Sequence, residues 1–272
     1  SKIPGIAYRN DLGQPVLNEP RPLIEDLDTL PFPARDVLVR HRDKIARVAI
    51  SGSRGCPWRC KFCSIATFYR VPDGRIWRAR SPANIVDEME GIQQTYGLSA
   101  FTFADDQFLG SGARGRAFAQ GFAQEILSRG LTFAFCFETR TDSIDRDTFA
   151  LLRDAGLDRV FLGVESGYQP TLDYYLKDVT VETNLEAIRI LKELGIGIQT
   201  GFIMFHERST LDEVRANLKF LRASDAFTMT TFSGNLQIRA GTTFMEEAGD
   251  DCLTETYEKP YEIQDQGARN FK

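Results

Sequence analysis

From Ala46 onward, short apolar segments alternate with longer segments whose apolar residues recur at the spacing of a helix face. The pattern predicts strands at 47–52, 99–104, 131–138, 159–165, 196–205 and 227–238, and helices at 81–97, 113–130, 145–156, 181–195 and 210–224. Ser81-Pro82 begins the first helix, and glycines at 97, 130, 156 and 195 stand just past the ends of four helices. Strand–helix alternation at this spacing favours parallel strands joined by right-handed crossovers. Six such units predict an α/β fold, either an open doubly wound sheet or a partial barrel.

The alternation within the predicted strands indicates which side chains share a face of the sheet. In the third strand the phenylalanines at 133, 135 and 137 point one way, and Ala134, Cys136, Glu138 and Arg140 point the other. Helices cover a parallel sheet, so the phenylalanines are expected against the helices and the second row on the concave side. The same reasoning turns Asp106 and Glu165 inward at the ends of the second and fourth strands. Three carboxylates therefore reach the edge where such folds bind ligands, with capping of the next helix as the alternative role.

The first 45 residues differ from the rest, because they are rich in proline and have few periodic apolar positions. We interpret residues 1–45 as a lead-in or linker segment wrapped on the surface, of the kind that follows a further domain. The α/β core is predicted to cover 46–245, and 246–272 is predicted to begin a C-terminal extension.

Composition narrows the class of protein. The formal net charge of −5 argues against a general nucleic-acid binder, which is normally basic. No apolar run approaches the length of a membrane span, and residues 1–10 carry no signal-peptide pattern. The five cysteines, three of them crowded together, argue against a disulfide framework and for a reducing compartment. We therefore expect a cytoplasmic enzyme that acts on a small molecule, with no nucleic-acid or membrane partner.

Three cysteines lie within the segment RGCPWRCKFCS, at Cys56, Cys60 and Cys63, with the spacing C-x₃-C-x₂-C. A structural zinc site usually takes four ligands from two separated pairs, and only His41 and His206 are available as a histidine ligand. A four-iron four-sulfur (4Fe-4S) cluster fits better, because each thiolate of one tight loop can bind a different iron. Three protein ligands leave one iron open to a substrate or cofactor. We therefore favour the cluster over zinc.

The spacing C-x₃-C-x₂-C with Phe62 before the third cysteine, directly after the first strand of a βα series, resembles the radical S-adenosylmethionine (SAM) superfamily. The stretch 151–196, which contains G-V-E-S-G, is similar to the branch whose members also carry a cobalamin-binding domain. Residues 26–38 resemble the linker that joins the cobalamin domain to the barrel in that branch. The resemblance extends from about Ile24 to Phe244 and implies a partial (βα)6 barrel of the TIM type.

The resemblance also implies a chemistry and a set of site residues. In such enzymes SAM chelates the open iron, and an electron from the cluster releases a 5′-deoxyadenosyl radical that takes hydrogen from an inert carbon. The resemblance assigns the cluster to the three clustered cysteines and places Phe62 beside the cofactors. Asp105 and Asp106 stand where the family contacts the SAM amino group, and strand alternation favours Asp106. Glu165 in G-V-E-S-G is expected at the ribose or the amino group.

The third strand supplies two more candidates for SAM binding. Arg140, or Glu138 beside it, is expected to hold the carboxylate or the ribose through charge-assisted hydrogen bonds. For Arg140 the ordinary alternative is a salt bridge to Asp142 or Asp145.

Other residues have less settled roles. The segment GFIMFHERST (201–210) departs from the G-x-P-x-E-T turn of relatives. The departure brings His206 and Glu207 near the site as acid–base or substrate groups. The alternative for His206 is a solvated loop residue. Cys136 is interpreted as a hydrogen-atom donor, a second thiol of the site or a small core residue. Cys252 has no evident partner. The arginine-rich stretch 68–82 is suited to guide an electron donor with an acidic face or to bind an anionic substrate group. The alternative is a solvated surface loop.

Three functions remain open. The first is cobalamin-dependent methylation of an unactivated carbon, with cobalamin held by a domain outside this chain and with a reductase such as flavodoxin or ferredoxin as electron source. The second is a cobalamin-independent dehydration, epimerisation or oxidation, for which Cys136, His206 and Glu207 are the available acid–base or hydrogen-donor groups. The third is an iron–sulfur electron-transfer protein. It requires a fourth cysteine ligand, for which only Cys136 is a candidate.

Overall fold

The computed structural model describes residues 2–248 and 258–272. Its strands are β1 (Ala7–Arg9), β2 (Pro15–Leu17), β3 (Val48–Ile50), β4 (Ser53–Arg54), β5 (Arg78–Ala79), β6 (Ala100–Phe103), β7 (Ala134–Arg140), β8 (Leu157–Glu165), β9 (Gly197–Phe202), β10 (Ile238–Arg239) and β11 (Glu258–Lys259). Its helices are α1 (Asp36–His41), α2 (Ile65–Phe68), α3 (Pro82–Tyr96), α4 (Gly112–Ser128), α5 (Arg146–Asp154), α6 (Gln169–Tyr174), α7 (Val181–Glu193), α8 (Leu211–Ala223), α9 (Met229–Phe232), α10 (Thr243–Ala248) and α11 (Gln266–Phe271).

Five of the strands form one parallel sheet in the order β3-β6-β7-β8-β9. Helices α3, α4, α5 and α7 lie in the connections between successive strands, so each strand pairs with the next of the series. β1–β2, β4–β5 and β10–β11 form small antiparallel pairs outside this sheet. The predicted α/β class is confirmed, and the strand order is that of a partial barrel rather than a doubly wound sheet.

The convex face of the sheet carries the hydrophobic core. Phe135 and Phe137 of β7 are 0% and 2% exposed, and the Phe135 ring packs edge-to-face on Phe122 of α4, with centroids 5.3 Å apart. Val160 and Val164 of β8 are fully buried on the same face. Removing such a side chain from water contributes about 1.5–3 kcal/mol. The predicted assignment of the phenylalanine row to the helix side is confirmed.

The concave face is open and lined by small residues. Ala49, Ala104 and Gly197 are exposed there, and Gly163 and Gly201 leave room beside larger neighbours. Parallel sheets are usually covered on both faces. An uncovered concave face with little side-chain bulk therefore provides space for a ligand above the middle of the sheet.

The predicted sixth strand at 227–238 is wrong over most of its length. Thr228 and Thr231 form a capping box that starts α9, because each side chain accepts a hydrogen bond from the other residue's backbone N–H. Within the part of the chain that the structure describes, a single parallel bridge, between Phe205 and Asn235, continues the sheet beyond β9. The barrel therefore stays open along the edge of β9. The remaining boundaries shift by a few residues; for example, the third predicted strand begins at Ala134.

The first 45 residues pack along the opposite edge of the sheet. Arg35 donates to the carbonyl of Ala49 at 2.9 Å, and Arg80 donates to the carbonyl of Ser51 at 2.8 Å. Both arginines also pair with the buried carboxylate of Glu88 on α3. These contacts occupy the free carbonyls of edge strand β3, which would otherwise be open to pairing with another chain.

Candidate active site

The three clustered cysteines lie on one loop between β4 and α2, at the C-terminal edge of the sheet. Two neighbouring carboxylates fasten the start of this loop. Asp106 accepts the backbone N–H of Gly55 at 3.1 Å, and Asp105 accepts the N–H of Gly52 at 3.1 Å. Asp105 is 4% exposed, and burial raises its pKa to about 6. Asp105 therefore lies beneath the loop, whereas Asp106 lies beside it, in agreement with the inward direction predicted for Asp106.

Gly55 makes a tight turn just before Cys56. Its φ is +85°, and a Cβ at this position would lie 2.0 Å from the carbonyl oxygen of Ile76. We expect Gly55→Ala to lower the free energy of unfolding by more than the roughly 1–2 kcal/mol of backbone strain alone. It should also reduce the iron bound after anaerobic reconstitution. Urea melts and iron analysis measure both effects.

Gly91→Ala on α3 is the matched control, because nothing lies within 4 Å of the added Cβ. Alanine is the better helix former, so this variant should be as stable as the parent or slightly more stable. Equal stability and iron content in both variants would contradict a role for Gly55 in shaping the loop.

Arg70 holds the loop from the other side. Its guanidinium donates to the carbonyls of Pro57 at 3.0 Å and of Trp58 at 3.3 Å. The other arginines of the stretch 68–82 also make contacts within the chain: Arg75 with Glu25, Arg78 with the carbonyl of Ile24, and Arg80 with Glu88. Arg70, Arg78 and Arg80 thus serve the fold, whereas Arg75 is exposed to solvent, as the solvated-loop interpretation expects.

Arg140, at the end of β7, lies directly against the cysteine loop. Its guanidinium is 3.5 Å from the Sγ of Cys60 and stacks 3.9 Å from the ring centroid of Trp58. Asp142 accepts from it with both carboxylate oxygens, at 3.0 and 2.9 Å. The salt bridge to Asp142 foreseen as an alternative is therefore present, and it holds Arg140 beside Cys60 rather than away from it.

Glu165, at the end of β8, forms a buried ion pair with Lys177. The Nζ of Lys177 is 2.9 Å from a Glu165 oxygen, and both side chains are nearly excluded from solvent. Glu165 has a φ of +66°, a left-handed conformation that costs a residue with a Cβ about 1–3 kcal/mol. A Cβ on Gly163 would lie 2.8 Å from the Glu165 carboxylate and 2.9 Å from the Lys177 ammonium, so a larger residue there would displace the ion pair.

Lys177 was missed by the sequence analysis. Its only signal was a single lysine directly after the aromatic and apolar run YYL, twelve positions beyond Glu165. The ammonium also lies 5.9 Å from the ring centroid of Phe62, whose ring packs edge-to-face on Tyr175. Phe62 therefore lies between the cysteine loop and the lysine.

Burial is the main influence on the pKa of two of the three loop cysteines, and nearby cations oppose it. Burial raises the pKa of the Cys56 thiol to about 11, and burial also raises the pKa of Cys60 although Lys177 and Arg140 oppose the shift. With their pKa raised, the thiols of Cys56 and Cys60 stay protonated near neutral pH unless a metal binds them, and metal binding releases their protons. Three thiols on one short loop, with two cations near Cys60, match in kind the donor set of a cluster held by thiolates, although the described residues do not already form a three-ligand metal site.

Glu138 extends the site onto the concave face. Its side chain is exposed to the open lumen, yet the surrounding protein raises its pKa, first by partial burial and then through the negative charges of Asp106 and Glu165. The three carboxylates predicted at the strand ends are therefore close enough to interact.

Cys136 lies elsewhere in the barrel. It is 6% exposed near the start of β7, and its Sγ contacts the Thr102 hydroxyl at 3.3 Å. Four residues separate it from Arg140, roughly 13 Å along a strand. It faces the concave side as predicted, but near the base rather than at the edge that carries the cysteine loop. Cys252 lies outside the described residues.

His206 and Glu207 are both held by neighbouring side chains. His206 is 2% exposed, with Nε2 3.1 Å from the carboxylate of Glu213, so the solvated-loop interpretation is wrong. The hydroxyl of Tyr174 donates to Glu207 at 2.5 Å. His206 thus braces the loop after β9, whereas the second carboxylate oxygen of Glu207 is buried with no hydrogen-bond partner and is the polar group of this loop that stays available.

Comparison with known proteins agrees with this geometry. The radical SAM superfamily profile matches residues 50–221. One relative is an anaerobic magnesium-protoporphyrin IX monomethyl ester cyclase of Rubrivivax gelatinosus, which is 34% identical to this chain. The match covers 81% of this chain and 39% of the length of the cyclase. An uncharacterized methyltransferase of Pyrococcus horikoshii is 28% identical over 82% of this chain and 47% of its own.

Among solved structures, the cobalamin-dependent SAM radical enzyme OxsB with aqua-cobalamin bound shares the fold, with a TM-score of 0.81. The two sequences are 21% identical, and the match covers 97% of this chain and 45% of the OxsB chain. The chain thus spans less than half the length of these three relatives. Within residues 2–248 and 258–272, no helix has the length and apolar character needed to cross a bilayer. The profile match covers more than half of the chain, and the chain therefore belongs to the radical SAM superfamily, whose enzymes use a 4Fe-4S cluster and SAM.

Proposed function

We propose that Cys56, Cys60 and Cys63 hold a 4Fe-4S cluster and that the charged groups around them bind SAM. The observation that carries the proposal is the convergence of opposite charges on the cysteine loop. Arg140 contacts Cys60, and the Glu165–Lys177 pair lies close enough to influence the same thiol. When bound, the cluster supplies the electron that cleaves SAM to a 5′-deoxyadenosyl radical.

The chain's own residues bind and orient SAM in this proposal. Lys177 and Arg140 provide positive charge for its carboxylate, because charge-assisted hydrogen bonds are stronger than neutral ones. Glu165 and Asp106 accept hydrogen bonds from its amino group or ribose hydroxyls. Asp105 stays with the backbone N–H of Gly52, so it shapes the loop without contacting SAM.

The open concave face is the proposed place for a small-molecule substrate. Small residues leave space above the sheet, and Glu138 is the carboxylate that faces this space from β7. Its raised pKa makes it suited to hydrogen-bond a substrate hydroxyl or amine. Enclosing the substrate between this face and SAM limits side reactions of the radical with water.

Within this chemistry we favour cobalamin-dependent methylation, with cobalamin bound by a part of the longer protein outside this chain. The relatives support it, because OxsB is cobalamin-dependent and the Pyrococcus protein is described as a methyltransferase. Cobalamin-independent dehydration or epimerisation requires a free acid–base group or hydrogen donor. His206 is occupied by Glu213 and Cys136 lies near the base, whereas Glu207 accepts from Tyr174 through one oxygen only and its other oxygen is buried without a hydrogen-bond partner.

The products of SAM distinguish the two reactions. Methylation uses SAM as methyl donor as well as radical source, so S-adenosylhomocysteine should form together with 5′-deoxyadenosine. The longer protein, purified anaerobically with hydroxocobalamin and supplied with SAM and reductant, is expected to retain corrin and give both products. 5′-Deoxyadenosine without S-adenosylhomocysteine or bound corrin would favour the cobalamin-independent reaction instead.

The proposal also requires a low-potential electron donor. Flavodoxin or ferredoxin fills that role, and the cytoplasm keeps the cysteines reduced for cluster assembly. The radical SAM match argues against an electron carrier as the main function. A fourth thiolate ligand is needed for that function, and Cys136, the other free cysteine of residues 2–248 and 258–272, lies near the base of the barrel.

A further inference from the structure

One arginine on the concave face is left without an acidic partner. Arg159 belongs to the inward row of β8, with Phe161, Gly163 and Glu165, and it lies at the N-terminal end of the strand. Its side chain is exposed, and its nearest polar contact is the Sγ of Cys136 at 4.0 Å. Among residues 2–248 and 258–272, no carboxylate forms an ion pair with it. The base of the lumen therefore carries an uncompensated positive charge.

The neighbouring arginine shows the contrast. Arg47 also lies at the base, but its guanidinium forms an ion pair with Asp158 and donates to the carbonyl of Phe101 at 3.3 Å. Asp158 is thereby occupied and leaves Arg159 free. Negative charge instead collects at the opposite end of the face, where Glu138 and Glu165 lie beside the cysteine loop.

A cavity of about 420 Å³ opens beside Arg159. It lies along the edge of β9, where α9 has replaced the expected sixth strand. Its polar lining includes the amide of Gln199 and the hydroxyls of Thr200, Thr228 and Thr230, the last two hydrogen-bonded to each other at 2.8 Å. Ile188 of α7 and Ile198 of β9 also line it, so the cavity extends from the concave face round the open edge of β9. Lys192 and Asp225 also line it, but their charges neutralise each other across 3.0 Å. Gly197 adds room, because it presents no side chain beside the stem of Arg159.

We propose that Arg159, Gln199 and the cavity form a subsite for an oxyanion, a phosphate or carboxylate group at one end of the substrate. The inference rests on the proposed function, since it names the substrate class of that same lumen. Guanidinium groups bind both anions through paired N–H donors, and amide and hydroxyl donors add to the set. Six residues separate Arg159 from Glu165, roughly 20 Å along the strand. The anionic end would therefore be held at the base while the reacting carbon lies nearer to SAM.

Titration of the reconstituted protein with inorganic phosphate, followed by ³¹P NMR, tests the subsite without the unknown substrate. We expect saturable binding that weakens at least tenfold in Arg159→Gln. Gln199→Glu should have the same effect, because it places a carboxylate beside the unchanged arginine. Arg153→Gln is the control, since Arg153 is an exposed arginine of α5 that pairs with Asp154. Acetate competition shows whether carboxylates share the site.

Two results would overturn the subsite: no saturable phosphate binding by the parent protein, or equal binding by Arg159→Gln and the parent. The radical function is measured separately, as 5′-deoxyadenosine formed from SAM and dithionite in the absence of substrate. Arg159→Gln should form as much as the parent, because Arg159 is far from the cysteine loop. Failure of the subsite with normal SAM cleavage would leave the proposed function intact, and failure of SAM cleavage in the parent would reject that function itself.

Discussion

Cys60→Ala is expected to abolish 5′-deoxyadenosine formation from SAM. A 4Fe-4S cluster held by three thiolates loses a third of its protein ligands with any one cysteine, and about four irons per chain should fall to a small remnant. Cys60 is the most buried of the three and the one that Arg140 contacts. Iron analysis and chromatography of the nucleoside products measure both effects after anaerobic reconstitution.

Cys136→Ala is the matched control for this experiment. Its thiol lies at the base of the lumen against Thr102, so the variant should keep the full iron content and cleave SAM at the parent rate. Equal loss of iron in both variants would assign Cys136 to the cluster. Full iron and activity in Cys60→Ala would reject the three-cysteine site.

Glu165→Gln is expected to weaken SAM binding by at least tenfold, which corresponds to about 1.4 kcal/mol. It removes the carboxylate proposed to contact the amino group or ribose, and it leaves Lys177 charged and buried. Breaking a buried ion pair by removing one partner typically costs about 3–5 kcal/mol of stability. Iron content should stay at the parent level, because Glu165 carries no cluster ligand.

A double variant separates binding from stability. Glu165→Gln with Lys177→Met removes both charges, so it should recover much of the stability lost in the single variant. SAM affinity should remain low, because both proposed contacts are gone. Urea melts and equilibrium dialysis with labelled SAM give the two quantities. Parent-like SAM affinity in either variant would remove the Glu165–Lys177 pair from the cofactor site.

Much of the fold could be predicted because the local sequence signals, such as helix-ending glycines and strand alternation, agree with the observed helices and sheet. Gly97 and Gly195 end their helices with φ of +67° and +71°, the left-handed conformation that glycine adopts without cost. The phenylalanine row of β7 has a strict period of two, so one face had to be buried. The sixth strand failed because FTMTTF is rich in strand-forming residues, whereas the hydrogen bonds between Thr228 and Thr231 stabilise a helix start.

The site was predictable where strand geometry delivers a side chain. Asp106, Glu138 and Glu165 follow from alternation, and the cysteines follow from their spacing. Lys177 lies on a loop without periodicity, so only the folded chain brings it to Glu165. The surroundings of His206 could not be predicted for the same reason: its partner Glu213 stands seven residues away on α8, and nothing in the loop sequence showed that the two would meet.

The most direct test of the account is SAM cleavage by this chain itself. Anaerobically reconstituted protein is reduced with dithionite, given SAM, and assayed for bound metal and for 5′-deoxyadenosine. The account predicts about four irons per chain and 5′-deoxyadenosine that depends on all three cysteines of the loop. Bound zinc, or an iron–sulfur cluster that leaves SAM intact, would contradict it.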